Sequence, residues 1–210
     1  MRTGDNVRLR ADGRYEARYA KSRDSRGRIV YGYCYGKTYE EAAAKRQEAR
    51  RRSVVVREMR LLILGAGSHG REVRELAECL RIFQEVAFLD DDPSNPLAIG
   101  PCEGYAQYRE TYPAAIPAVG DRALRMRWLE ELAQAGFVLP VLVHPTAVVS
   151  PSAKLGYGTV ICARATVGSG VSVGCGSIIS SGCTIDRGVV LPAGTHLSCG
   201  QAVVKDLEGA

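Results

Sequence analysis

Two side chains near the C-terminal end of the sequence have types that could do chemistry, His196 and Arg187. They lie nine residues apart, on either side of Leu191. An imidazole exchanges its proton near neutral pH, so His196 could act as a base. A guanidinium stays protonated at neutral pH, so Arg187 could hold an anionic group or an oxyanion but could not accept a proton.

A second group of residues has the spacing of a nucleotide-binding turn. Gly65, Gly67 and Gly70 follow a short apolar run and precede an amphipathic helix, and Asp90 ends the next predicted strand. Such glycines let the backbone approach a phosphate at the helix N-terminus, and the acid can hold a ribose hydroxyl. The module has about half the length of a full dinucleotide fold, which favours a mononucleotide or nucleotide sugar over NAD. A packing turn without ligand and an NAD-binding regulator are the alternatives.

The elements that would carry Arg187 and His196 follow a six-residue period. Ten consecutive groups of six begin at Ala147, and seven of their ten sixth places are glycine. The third places are all aliphatic: Val149, Leu155, Ile161, Val167, Val173, Ile179, Ile185, Leu191, Leu197 and Val203. This period predicts a triangular parallel β-helix with three groups to a coil, and its flat faces predict a homotrimer.

The N-terminal segment differs from the rest in charge and pattern. Residues 1–52 hold 15 Lys+Arg against 7 Asp+Glu, and the remainder holds 13 against 16. Turns at Asp12-Gly13 and 25–27 separate alternating runs, and Thr38 with Glu41 forms a capping box for a helix ending near Arg52. We therefore expect three domains: 1–58, a three-stranded sheet plus helix; 59–143, a small Rossmann-like α/β domain; and 144–210, the β-helix.

Residues 1–58 resemble the arm-type DNA-binding domain of tyrosine recombinases. The resemblance lies in DGRYEARY, in the turn of residues 36–41 and in the order of the elements. It implies that DNA is a partner of this segment. Its contacts would come from Arg14, Arg18, Lys21, Arg28 and the tyrosines. The alternative is a basic appendage that binds another protein or an anionic polymer.

The remainder resembles the family of sialic-acid O-acetyltransferases and bacillosamine N-acetyltransferases. The matching stretches include LLILGAGSHGREV, VAFLDDDP, AVGDRALR and LVHPTAVVSPSAKLGYGTVI. The resemblance implies a left-handed β-helix, a trimer with sites between neighbouring prisms, acetyl-CoA as co-substrate and a nucleotide-sugar or glycan acceptor. The implied substrate-binding residues are Gly65, Gly67, Ser68, His69, Gly70, Asp90 and Asp91.

The same resemblance implies that Asp186, Arg187 and His196 are catalytic, with one departure. Family members carry an Asp-His pair where this chain has Asp186-Arg187, and a second histidine where it has His196. Three alternatives follow from the arginine. Another residue, best His196, is the base; or Arg187 binds an anionic acceptor or the oxyanion; or the protein is catalytically degenerate and only binds ligands or regulates.

The lengths of the apolar runs and the spacing of the cysteines further limit the kind of protein that we expect. No apolar run is long enough to span a membrane, and the N-terminus lacks the apolar run of a signal peptide, so we expect a soluble cytoplasmic protein without membrane insertion. The seven cysteines include no CxxC pair, which disfavours a disulfide framework and a metal site. The expected function is acetyl-CoA-dependent acetylation of a sugar or nucleotide sugar in cell-surface polysaccharide biosynthesis.

Overall fold

The structure is a computed structural model that describes residues 7–23 and 29–207, with backbone alone described at 20–23, 29 and 50–58. The chain divides into two compact units, Met1–Glu58 and Met59–Ala210. The predicted turn at residues 25–27 and the side chains of Lys21 and Arg28 lie outside the described residues. Within the described residues no helix is long and apolar enough to cross a membrane.

The first unit is an antiparallel sheet covered on one face by a helix. Its strands, in the order β1-β2-β3, are Val7–Leu9, Tyr15–Arg23 and Ile29–Gly36, and helix α1 is Tyr39–Glu58. The Thr38 hydroxyl accepts a bond from the Glu41 amide at 3.2 Å, as predicted for a helix cap. The prediction of a helix end near Arg52 is wrong. Helix α1 continues to Glu58 because residues 39–58 contain neither glycine nor proline to break it.

The second unit begins with a small parallel sheet. Strands β4 (Arg60–Leu64), β5 (Glu85–Leu89) and β6 (Ala114–Pro117) run parallel in the order β5-β4-β6. Helix α2 (Ser68–Leu80) follows β4, a 3-10 helix (Cys102–Tyr108) follows β5, and helix α3 (Arg122–Gln134) follows β6. The strands are apolar on both sides because both faces of the sheet are covered.

The remainder is a solenoid of two-residue strands. They are Leu142–Val143 (β7), Val148–Val149 (β8), Lys154–Leu155 (β9), Val160–Ile161 (β10), Thr166–Val167 (β11), Ser172–Val173 (β12), Ile178–Ile179 (β13), Thr184–Ile185 (β14), Val190–Leu191 (β15), His196–Leu197 (β16) and Ala202–Val203 (β17). Every third strand pairs in parallel, which gives the three faces β7-β10-β13-β16, β8-β11-β14-β17 and β9-β12-β15. The predicted fold class is confirmed, and the first strand lies just before residue 144.

The solenoid interior contains the aliphatic residues that the six-residue period predicts. Eight of the ten, from Ile161 to Val203, are at most 4% exposed, and Val149 and Leu155 pack against them at one end. At the other end Asp206 and Leu207 contact the prism. The Val190 amide donates to Asp206 Oδ1 at 2.8 Å, and Leu207 packs against the interior. Leu207 therefore shields part of the apolar end of the prism.

Helix α3 lies along one corner of the solenoid. Gly158, Gly176 and Gly194 follow one another there at intervals of one coil, all with positive φ. A Cβ on Gly158 would lie 2.3 Å from Leu129 Cδ1 of α3, so a larger residue would require the Leu129 side chain to move. Leu142 and Val160 on the neighbouring face join the core beneath α2. The sheet domain and the solenoid therefore share one packed core.

Candidate active site between the glycine turn and the solenoid

The glycine turn between β4 and α2 is built for close packing and leaves its tip open. Gly65 has φ +101, and a Cβ on Gly70 would lie 2.0 Å from the Gly65 carbonyl oxygen. These two glycines therefore let α2 start directly against β4. Gly67 and Ser68 at the tip are exposed, and nothing lies within 4 Å of a Cβ placed on Gly67. The tip presents the N-terminus of α2, where an anionic group is favoured.

The two aspartates that follow β5 bond to backbone amides. Asp90 Oδ2 accepts from the Ala66 amide at 2.6 Å, and its Oδ1 accepts from the Asp92 amide at 2.9 Å. Asp91 Oδ1 accepts from the Cys102 amide at 2.8 Å. Both carboxylates therefore hold the loops around the glycine turn, so they already have a structural role. Their contact with a ribose remains a prediction.

His69 and His196, which the sequence places in different domains, meet at this turn. Their ring centroids are 6.5 Å apart and the rings are tilted by 32°. His69 Nδ1 lies 3.3 Å from Glu72 Oε2, one helical turn further along α2. His69 Nε2 is buried and has no hydrogen-bond partner among the described residues. Two imidazoles and one carboxylate therefore share a small volume at the edge of the solenoid.

His196 reaches the turn because of the solenoid register. Leu142, Val160, Ile178 and His196 are paired in succession along one outer face. The first three are buried, and His196 is the first of the column to be exposed. Its neighbour Leu197 points into the prism, which fixes the imidazole on the outside. The sheet domain therefore covers this face up to His196 and leaves the ring accessible beside it.

The local environment keeps both imidazoles neutral. Burial lowers the pKa of His69 below its usual value, and the hydrogen bond that His69 donates to Glu72 offsets this lowering only in part. Burial also lowers the pKa of His196, and the positive charge of Arg125 adds to this effect. A neutral imidazole carries one free lone pair, so these rings are suited to accept or relay a proton at neutral pH.

Arg125 of α3 is 1% exposed and connects the segments that surround the site. It donates to the carbonyls of Val119 and Gly120 in the turn after β6, and to those of Gly176 and Gly194 at the solenoid corner, all at 2.8–2.9 Å. Gly194 lies two residues before His196. The guanidinium therefore ties the turn, α3 and the strand that carries His196 into one arrangement.

Arg187 and Asp186 lie on a different part of the prism from His196. They follow β14, which belongs to a different face of the solenoid from β16. A nine-residue separation is half of the 18-residue coil, so the two positions are on opposite sides of one protomer. Asp186 Oδ1 accepts from the Arg187 amide at 2.8 Å, and Arg187 is exposed without an ion pair in the described part of the chain. The structure thus brings His69 and His196 together, but not Arg187.

Sequence reasoning did not identify two residues of this site, Glu72 and Arg125. Glu72 stands three residues after His69 on a predicted helix, a spacing that places two side chains on one face. That spacing could have indicated the pair. Arg125 lies in a stretch typical of an amphipathic helix, where an arginine is expected at the surface. Its burial depends on the solenoid corner, which the local sequence does not contain.

Comparisons with known proteins identify the same architecture. Residues 60–132 match the PglD N-terminal domain. A UDP-N-acetylbacillosamine N-acetyltransferase of Bacillus subtilis is 33% identical over 108 residues, which cover 48% of this chain and 50% of that protein. The chain thus spans about half the length of this curated relative.

Two solved structures extend the comparison to three dimensions. The acetyltransferase domain of PglB from Neisseria gonorrhoeae, in complex with acetyl coenzyme A, is 36% identical with a TM-score of 0.62 over 69% of this chain and 73% of that one. PerB from Caulobacter crescentus, in complex with CoA and GDP-perosamine, is 27% identical with a TM-score of 0.52 over 70% and 89%.

The fold and the site define a class of protein, a small α/β domain that covers one face of a hexapeptide-repeat solenoid. The chain belongs to the family of bacterial sugar acetyltransferases that includes the bacillosamine N-acetyltransferases. The resemblance inferred from the sequence is therefore confirmed for this part of the chain. The family-model match begins at residue 60, after the first unit.

Proposed function

We propose that the protein transfers an acetyl group from acetyl-CoA to the amino group of a nucleotide-linked sugar. The observation that carries this proposal is the meeting of His196 with the open glycine turn. An acceptor whose phosphates bind at the N-terminus of α2 would place its sugar toward the two imidazoles. The characterised relatives support the choice of substrates, since two solved structures contain acetyl coenzyme A, or CoA with GDP-perosamine.

The reaction requires a free amine that attacks the thioester carbonyl. A donor must stabilise the oxyanion that forms, and a base must take the amine proton. His196 is exposed on the outer face of the solenoid beside the glycine turn, where it would contact the thioester. Arg187 can bind an anionic group of a substrate, because its guanidinium is free of carboxylate partners in the described residues.

The half-coil separation of Arg187 and His196 supports a trimeric assembly. One prism presents them on opposite sides, so they can serve one site only if His196 of one protomer faces Arg187 of its neighbour. A threefold arrangement of prisms provides such a contact, and it buries flat sheet faces that a monomer exposes. Light scattering should therefore give three times the 22.7 kDa chain mass, and a monomer would contradict this assembly.

The function is tested by CoA-thiol release from acetyl-CoA with UDP- and GDP-linked amino sugars. We expect acceptor-dependent release by the wild type, and its loss in His196→Gln by about 10²-fold or more. The matched control is His144→Gln, since His144 bonds to Thr146 at the entry to the solenoid. Equal activity of His196→Gln and wild type would exclude the site, and absence of acetyl-CoA binding at millimolar concentration would exclude the function.

A separate observation favours a second function for the first unit. Tyr31, Tyr33 and Tyr35 alternate along β3 and are 41–49% exposed on the sheet face opposite to α1. The Arg18 guanidinium lies 4.3 Å from the Tyr31 ring centroid, and those of Arg10 and Arg14 lie 5.6 and 5.8 Å from that of Tyr35. Stacked arginines and tyrosines on an open sheet suit phosphates and groove edges.

We propose that this sheet face binds duplex DNA. A β-ribbon fits the major groove, and arginine contacts to phosphate make binding weaken steeply with salt. Fluorescence anisotropy with the full chain and a labelled duplex should show this salt dependence. Arg18→Ala should weaken binding, whereas Arg127→Gln, which lies on α3 of the second unit, should not. Salt-independent binding, or equal effects of the two variants, would contradict DNA recognition by this face.

A further inference from the structure

Arg187 takes the place of the histidine that the family resemblance implies as the base, so the proposed transferase site needs another base. Three aspartates that follow strands of the sheet are already engaged. Asp90 and Asp91 accept backbone amides, and Asp121 caps α3 by accepting from the Leu124 amide at 2.7 Å. Among the described residues no hydrogen bond fixes the orientation of the exposed His196 ring. The remaining candidate is His69.

The contacts of His69 define which nitrogen is free. Glu72 is a carboxylate and can only accept, so the 3.3 Å contact places the proton of neutral His69 on Nδ1. The lone pair is then on Nε2, the buried atom without a partner in the described chain. A carboxylate that orients an imidazole in this way also stabilises the imidazolium that forms when the ring accepts a proton. His69 and Glu72 therefore have the geometry of a general-base pair.

The position of the pair relates it to the reaction centre. The ring centroids of His69 and His196 are 6.5 Å apart, so the two imidazoles are close neighbours at the edge of the solenoid. His69 also lies in the glycine turn where the acceptor would bind, whereas His196 belongs to the solenoid where acetyl-CoA would bind. Each histidine therefore lies next to the position proposed for one of the two substrates.

We propose that His69, oriented by Glu72, is the catalytic base that takes the proton of the acceptor amine in place of a histidine at position 187. This assignment rests on the proposed acetyltransferase function. The amine nitrogen forms a bond to the thioester carbonyl carbon, and its proton passes to His69 Nε2. The carbon–sulfur bond then breaks, the thiolate leaves with the electron pair, and the proton on His69 returns to it, so that CoA leaves as a thiol.

The charges around His69 agree with this role. Burial lowers the pKa of the ring, and His196 and Arg125 lower it further, so the ring is neutral before the reaction. The Glu72 carboxylate acts in the opposite direction and raises the pKa. The base is therefore free at neutral pH and gains stabilisation from Glu72 as it becomes charged.

The test compares His69→Gln and His69→Ala with the wild type in the full-length protein. We expect His69→Gln to lose about 10²-fold or more in kcat, with little change in the affinity for acetyl-CoA measured by calorimetry. Added imidazole should restore part of the activity of His69→Ala, which a purely structural histidine would not allow. His144→Gln, outside the site, is the control for both measurements.

The outcomes separate this assignment from the function on which it rests. If the wild type turns over and His69→Gln has the same kcat and the same pH profile, His69 is not the base and the transferase function stands. Loss of acetyl-CoA binding in His69→Gln, without imidazole rescue of His69→Ala, also overturns the assignment. If the wild type acetylates no amine, both the function and the assignment fail.

Discussion

The ring centroids of His69 and His196 lie 6.5 Å apart, although one residue belongs to a glycine turn and the other to the last, incomplete coil of a solenoid. The contact exists because the α/β domain packs on the solenoid face that ends in His196. Helix α3 and Arg125 hold this packing at the adjacent corner. The glycine turn and the solenoid thereby share one edge.

The decline of kcat/KM at low pH, the acid limb of the activity profile, should reflect imidazoles that are neutral at pH 7 and have lowered pKa values. Burial lowers the pKa of both His69 and His196, so kcat/KM should stay high as pH falls through 6.5 and decline only below it. Glu72→Gln removes the carboxylate that raises the pKa of His69, so its kcat should fall and its acid limb should move to lower pH.

The matched control for this profile is Glu78→Gln. Glu78 is exposed on the same helix, where it pairs with Arg74. Its removal should leave the pH dependence of kcat/KM unchanged. An acid limb above pH 6.5 in the wild type, or a shift to higher pH in Glu72→Gln, would contradict neutral histidines as the essential groups.

Arg187→Gln should raise the KM of an anionic substrate rather than change the pH profile. A charge-assisted hydrogen bond contributes about 1.5–3 kcal/mol, which corresponds to an increase of roughly tenfold or more in KM. Arg164→Gln is the control, because Arg164 is another exposed arginine at a solenoid corner. Steady-state kinetics with each substrate varied in turn would check this, and unchanged KM values would remove Arg187 from the site.

Arg125→Gln should lower the free energy of unfolding by about 3–5 kcal/mol. The substitution shortens the side chain and leaves several buried carbonyls without their donor. Arg127→Gln, on the same helix but 59% exposed and paired with Glu131, should cost at most about 1 kcal/mol. Chemical denaturation of both variants provides the comparison. A small effect at Arg125 would show that its bonds do not hold the two domains together.

Ile185→Ala should lower the free energy of unfolding by about 2–5 kcal/mol, since Ile185 is 1% exposed inside the prism and the substitution leaves a cavity. Its neighbour Thr184 points outward on the same strand, so Thr184→Ala should change the free energy of unfolding by about 0.5 kcal/mol or less. Equal losses of unfolding free energy at the two positions, measured by denaturant unfolding, would contradict the prediction that the third place of each six-residue group faces the interior.

The solenoid could be predicted from sequence in detail, because its period repeats the same requirement ten times. The aliphatic residue at each third place and the glycine at most corners leave no other register. The glycine turn could be predicted for a related reason. A Cβ at position 70 would lie 2.0 Å from the Gly65 carbonyl oxygen, so only glycine is accommodated there. Both sequence patterns could be predicted because each is determined by the backbone geometry of its own segment.

The composition of the site could be predicted only in part. His69 and His196 are both visible in the sequence, but their meeting depends on which face the α/β domain covers. The pairing of His69 with Glu72 required the helix to be placed first. Arg125 satisfies carbonyls from three separate segments, and no pattern near residue 125 contains that information. The roles of Asp186 and Arg187 as catalytic residues stay predictions.

The activity that we propose for this chain is transfer of an acetyl group to a nucleotide-linked amino sugar at the site between His69 and His196. The most direct measurement is the mass of UDP- and GDP-linked amino sugars after incubation with acetyl-CoA and the full-length protein. We expect a gain of one acetyl group on an acceptor, at a rate that His196→Gln and His69→Gln reduce and His144→Gln does not. An unchanged acceptor mass with every amino sugar, although acetyl-CoA is present at millimolar concentration, would contradict it.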